Sequence, residues 1–157
     1  MHTPPELLRA AAIAALPAQT KTHLLNPNAV RSAKALGAAT GLKHLGIHLM
    51  TVQPGHAATE YHRHHYEEQC FYVLAGRGEV WIDEQPYAVG VGDFVGLPAR
   101  GAAHTLLNTG SEPLVFLAAR QMLAQDVCDY PRQRQRLYMD GNEEVLVAYE
   151  QIRPPPG

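Results

Sequence analysis

The chain has 157 residues and a mass of 17.2 kDa, which suits a single domain with extensions. Its composition, 46% hydrophobic and 18% charged, is that of a globular protein, and 13 basic against 15 acidic residues exclude a surface built to neutralise many nucleic-acid phosphates. No apolar run reaches the roughly 18 residues of a membrane-spanning helix, and two cysteines, Cys70 and Cys128, exclude a disulfide scaffold and point to two thiols.

In chain order, Met1–Leu16 reads either as a minimal secretory leader or as a short helix. Glu6 and Arg9 interrupt the apolar run. Thr3 suits a helix cap, Pro4 its first position and Glu6 a capping box, and Pro17 ends the segment. The helix is the better reading, and with it a cytoplasmic protein. Residues 18–41, with Asn26-Pro27 and Gly37, read as loop. From Leu42 to Val52, apolar Leu45, Ile47 and Leu49 alternate with Gly46 and His48, a strand signal ended by Pro54-Gly55. Further strands are predicted at Gln69–Leu74, Glu79–Ile82, Tyr87–Val91, Phe94–Leu97, His104–Asn108 and Leu114–Ala119, each bounded by Gly, Pro or Asp turns. Short strands at this spacing, with no helical periodicity, indicate an all-β sandwich or barrel over 42–120. The remainder, 121–157, is an extension. Arg132, Arg134 and Arg136 would share one face if strand-like, most simply a solvated edge. Asp140-Gly141-Asn142 could turn a hairpin into Val145–Tyr149, and Pro154–Gly157 reads as a frayed end. The predicted organisation is thus 1–41, 42–120 and 121–157.

Nine histidines are the unusual feature, four of them between 56 and 65. On a strand, His62 and His64 point to the same face. If residues 65–68 turn, Gln69 faces the same point on the returning strand, and His104 lies on a later strand. Imidazole suits Zn, Ni, Cu and Fe, and an amide oxygen adds a neutral ligand. Alone, His-x-His is a weak signal.

The surrounding residues strengthen it. The first run is Gly55-HAATEY-His62-R-His64-HYEE-Gln69-CFYVLA-Gly76, and the second is Gly92-DFVGL-Pro98-AR-Gly101-AA-His104-TLL-Asn108. Together, and in this order, they resemble the two motifs of the cupin superfamily over about Gly46 to Ala119. The spacer before His62 and the Pro98–Gly101 interval are each one residue longer than the pattern, both in loops. The resemblance implies a double-stranded β-helix, a jelly-roll barrel, here with a short N-terminal helix, and one divalent metal (Zn, Ni, Fe or Mn) held by His62, His64, Gln69 and His104. It also implies a homodimer.

Gln69 stands where the family usually has Glu. Glu67 and Glu68 precede it, so a register shifted by one residue would turn Glu68 inward instead. Gln69 keeps the six-residue interval to Gly76 and shares a face with Phe71 and Val73. A neutral fourth ligand leaves a divalent site at +2 rather than +1, which favours anionic ligands and acidifies bound water further. Tyr61, His48 and Arg77 are weaker candidates for the pocket: each has a structural reading, as rim packing, an outer-face polar residue and a turn residue. His65 could relay protons but fits a surface turn, and Cys70 should face away from the metal. The expected function is that of a small metal-dependent enzyme acting on a small anionic or hydroxylated organic molecule. Its chemistry would be that of an isomerase or tautomerase, or of a dioxygenase. The alternatives are a non-catalytic metabolite- or sugar-binding module and a vestigial barrel without metal.

Overall fold

The computed structural model describes residues 3–157. The chain folds as an all-β jelly-roll barrel in which every strand predicted between 42 and 120 forms. These strands are β3 (Leu45–Val52), β5 (Gln69–Ala75), β6 (Arg77–Ile82), β7 (Gln85–Gly90), β8 (Phe94–Leu97), β9 (His104–Leu107) and β10 (Leu114–Gln121). Alternation directs each strand: in β5, Phe71 and Val73 are buried while Tyr72 and Leu74 face out. Val52, Phe71, Val73, Val80, Leu114 and Phe116 belong to one apolar cluster, contributed by both β3–β10–β5–β8 and the three-stranded sheet β7–β6–β9.

Both flanking regions add strands to the architecture. Residues predicted as loop form a hairpin of β1 (Gln19–His23) and β2 (Asn26–Ala35), and β2 pairs antiparallel with β3. The large sheet therefore runs β1–β2–β3–β10–β5–β8. β1 (QTKTH) is almost wholly exposed, so the ladder rather than burial makes it a strand. The N-terminal helix α1 spans Ala10–Ala15 and starts at Arg9 without a side-chain cap. The Thr3–Glu6 capping box is not its start, because Pro4 and Leu7 close a separate turn. The Lys34 ammonium donates to the carbonyls of Ile13 and Ala14 at the helix's C-terminal end, where a cation is favoured.

After β10 come β11 (Gln125–Tyr130), β12 (Gln135–Asp140) and β13 (Glu143–Ala148). With the two-residue β4 (Arg63–His64) they form a sheet of order β13–β12–β11–β4. The β12–β13 hairpin turns at Gly141, as predicted, with φ +61°. The three arginines do not share a face: Arg132 lies in a 3-10 turn, Arg134 is left-handed at φ 54°, and only Arg136 lies on β12. Among the described residues both cysteines are free thiols, and no helix is long and apolar enough to cross a membrane.

β5 turns into β6 at Gly76. Its φ is +77°, and a Cβ there would lie 2.4 Å from the Pro113 carbonyl oxygen. Gly76→Ala combines left-handed strain with a backbone clash and is expected to destabilise the fold by about 2–4 kcal/mol. Urea unfolding measures this, and a loss below about 0.5 kcal/mol would contradict the packing described.

Candidate metal centre

His62 and His104 face each other across an isolated antiparallel bridge. The His62 amide donates to the His104 carbonyl at 3.0 Å, and the His104 amide to the His62 carbonyl at 2.8 Å. Directly opposed residues project to the same side, and the two rings lie 4.5 Å apart between centroids. The His64 ring follows at 5.1 Å from that of His62, and all three line one cavity of about 670 Å³. Two short motifs far apart in sequence thus bring three imidazoles together.

Each imidazole is oriented by an acceptor at Nδ1. His62 donates to the Glu60 carbonyl at 2.7 Å, His104 to the Ala102 carbonyl at 3.3 Å and His64 to the Asp126 carboxylate at 2.5 Å. Since carbonyls and carboxylates only accept, Nδ1 carries the proton in each neutral ring and Nε2 presents a bare lone pair. Burial, then the neighbouring His104 and His64, push the His62 pKa well below its ordinary value. Burial drives His104 down to about 4. Both rings are therefore neutral at pH 7, the form that binds metal.

Gln69 opens β5 on the inward row with Phe71 and lines the same cavity. Glu68 is exposed, and its amide donates to the Gln121 side chain. His48 lines the cavity from β3. Tyr61 is buried outside it: its hydroxyl accepts from the Glu84 amide, and the Arg132 guanidinium stacks on its ring at 4.2 Å. Arg77 is exposed at the start of β6 rather than in the turn, and His65 donates to Asp129. Sequence reading missed Asp126, which holds His64 from behind, and Arg31, Arg120, His23 and Tyr130, which line the cavity. The inward alternation of Asp126, Cys128 and Tyr130 along β11 was the available signal.

A divalent metal fits this donor set. The Nε2 of His104 is buried with no hydrogen-bond partner, an arrangement that costs free energy unless something occupies it. Three bare imidazole nitrogens and an amide oxygen suit Zn, Ni, Fe or Mn. A more compact cluster, His64, Glu67 and Asp126, brings ligand atoms within 4.8 Å of one another. Its carboxylates are already engaged. Asp126 accepts from the amides of Tyr66 and Val127 and from His64, and Glu67 accepts from the Leu123 amide and Arg120. It is a brace behind His64.

The sequence profile of the cupin-domain family matches residues 48–120. A protein of Acidithiobacillus ferrooxidans, provisionally named a sugar phosphate isomerase, is 47% identical, with a TM-score of 0.94 over 98% of both chains. A sugar phosphate isomerase of the cupin superfamily from Silicibacter pomeroyi is 21% identical, with a TM-score of 0.80 over 92% of this chain and 93% of that one, a likeness of fold. An uncharacterized protein of Methanocaldococcus jannaschii is 30% identical over 80 residues, 51% of this chain and 56% of that protein.

Asp126→Asn should lower metal affinity about 10- to 100-fold. With its carbonyl oxygen held by the amides of Tyr66 and Val127, the Asn amide meets His64 Nδ1 donor to donor, which moves the imidazole proton to Nε2. Competition with a fluorescent chelator measures this, and unchanged affinity would contradict it.

Metal-free protein should also lose stability in acid. The folded pKa values of His62 and His104 lie below the unfolded value near 6.5, so the unfolded chain takes up protons first. Their contribution is complete above pH 6.5 and declines as pH falls toward 4, by about 1.4 kcal/mol per pH unit for each ring. Urea unfolding at pH 7.5, 6 and 5 gives the slope, and a flat profile would exclude buried neutral imidazoles.

Proposed function

The chain belongs to the cupin superfamily, and from that premise we propose that it is a metal-dependent isomerase of a small hydroxylated anion, in the first instance a sugar phosphate. The observation that carries this is the convergence of three oriented, Nδ1-protonated imidazoles on a cavity that also holds His48 and two arginines. The name of the 47% identical protein supports the choice of substrate class. His62, His64, His104 and Gln69 would hold the metal, which when bound polarises a carbonyl or enol oxygen.

The chain's own residues supply the proton chemistry. Burial, then Arg120 and Arg31, hold the His48 pKa below its ordinary value. His48 is neutral at pH 7 and takes a proton from the carbon beside the carbonyl. His23 accepts the Leu25 amide at Nδ1, so its neutral form carries its proton on Nε2 and acts as a donor in the same cavity. The cavity walls, with Met50, Phe71, Leu106 and Phe116, limit access of water to the reacting carbons.

The test is deuterium incorporation from D2O into aldose and ketose phosphates, followed by NMR with metal-loaded protein. Wild type should exchange the proton next to the carbonyl. His48→Gln should lower the rate about 10²- to 10⁴-fold while retaining metal. Oxygen uptake without exchange would replace this reading with a dioxygenase. Ligand-induced stabilisation with neither would replace it with a binding module.

A further inference from the structure

Strands β2, β3 and β10 lie side by side and turn Arg31, His48 and Arg120 toward the cavity. Arg120 pairs with Gly46 across β10 and β3. A Cβ on Gly46 would sit 3.2 Å from Arg120 Cγ, 3.4 Å from its Nε and 3.6 Å from His48 Cε1. The absent side chain is thus the space through which Arg120 lies, against His48. Arg31 is pinned by one guanidinium nitrogen to the Ala58 carbonyl at 2.8 Å. The rest of its planar fork stays available.

The charges here are unbalanced. Lys21, Arg31 and Arg120 line the cavity against one carboxylate, Glu144. Arg120 touches the Glu67 brace through a single contact at 3.3 Å, and Arg31 joins no ion pair among the described residues. Burial and the charge of Arg120 both lower the Arg31 pKa, the signature of like charges held together. Arg31, with no carboxylate partner among the described residues, and Arg120, held to Glu67 by a single contact, face one space in which cations outnumber carboxylates, and an anion with two or three oxygens completes it through bidentate hydrogen bonds.

We propose that Arg31 and Arg120 form an anion-binding subsite that holds the phosphate, or another oxyanion, of the substrate. The remainder of the molecule then extends toward His62, His64 and His104, with His48 between. Arg31 and Arg120 position the substrate and do not exchange protons with it. The choice of phosphate over carboxylate rests on the sugar-phosphate reading. The subsite itself rests on the arginines.

The experiment uses full-length protein stripped of metal with a chelator, so that binding to metal cannot contribute. Inorganic phosphate and acetate are titrated by calorimetry at constant ionic strength. Wild type should bind phosphate, and acetate less tightly. Arg31→Gln and Arg120→Gln should each weaken phosphate binding at least about tenfold, and Arg31→Lys should fall between them and wild type, keeping charge but not the fork. Acetate bound more tightly than phosphate would overturn the choice of phosphate. Variants within twofold of wild type, or a wild type that binds neither anion, would overturn the subsite. Phenylglyoxal labelling of wild type, read by mass spectrometry, decides the matter even if a variant fails to fold: phosphate should slow modification of Arg31 and Arg120, and no protection overturns the proposal. Phosphate binding that depends on both arginines, with no deuterium exchange in any sugar phosphate, supports the subsite while removing the isomerase reading.

Discussion

The buried carboxylate of Asp126 is the joint on which the rest depends. It is 2% exposed, and burial alone would raise its pKa. The hydrogen bond from His64, with the amides of Val127 and Tyr66, outweighs burial and holds its pKa below the ordinary carboxylate value. The same group that stabilises the junction of β4 and β11 fixes the ring of His64. Removing either partner leaves a buried charge or a misoriented imidazole, a loss on the order of 3–5 kcal/mol. Structural integrity and ligand orientation here are one interaction.

Charge is handled differently inside and outside the cavity. Beside the barrel, Asp129 is contacted by Arg63, His65 and Arg136. Burial would raise its pKa, but the bonds from Arg136 and His65 bring it down to about 2. That network is self-contained. Within the cavity Lys21, Arg31 and Arg120 face one lining carboxylate, Glu144, while His48, His62 and His104 are held neutral and Gln69 adds no charge. The contrast lies in placement rather than net charge, which is only −2 for the chain. Both arrangements contain clustered cations, but outside the barrel each contacts the shared carboxylate of Asp129, whereas inside Arg31 contacts none among the described residues.

Much of this was legible in the sequence because the barrel and its histidines obey short-range rules. Alternation along Gln69–Leu74 and Phe94–Leu97 gave the strands, and the two-residue spacing of His62 and His64 gave their shared face. Gln69 followed from the same parity. What escaped was set by long-range pairing. Polar Gln19–His23 is a strand only because Val30–Ala33 lies beside it. The 3-10 turn at Pro131 breaks the apparent alternation of Arg132, Arg134 and Arg136. Asp126 meets His64 across 62 positions, and Arg31 meets the cavity through pairing of β2 with β3, neither of which leaves a local spacing to read. The Thr3–Glu6 capping box failed for the opposite reason: a sound local signal belonged to a turn that the helix does not continue.

Asp126 also sets an order of events during synthesis. The three histidines have all emerged once residue 104 is clear of the ribosome, and the strand that completes the large sheet ends at Gln121. The group that holds the His64 proton on Nδ1 arrives only with β11, and β11 is itself paired to β12. A nascent chain paused before that point has the three histidines without the tautomer control, so the His64 proton is free to sit on either ring nitrogen. The arrangement of the three rings is therefore complete only when the last strands have docked, so the inner face of the barrel is finished by the segment that is synthesised last.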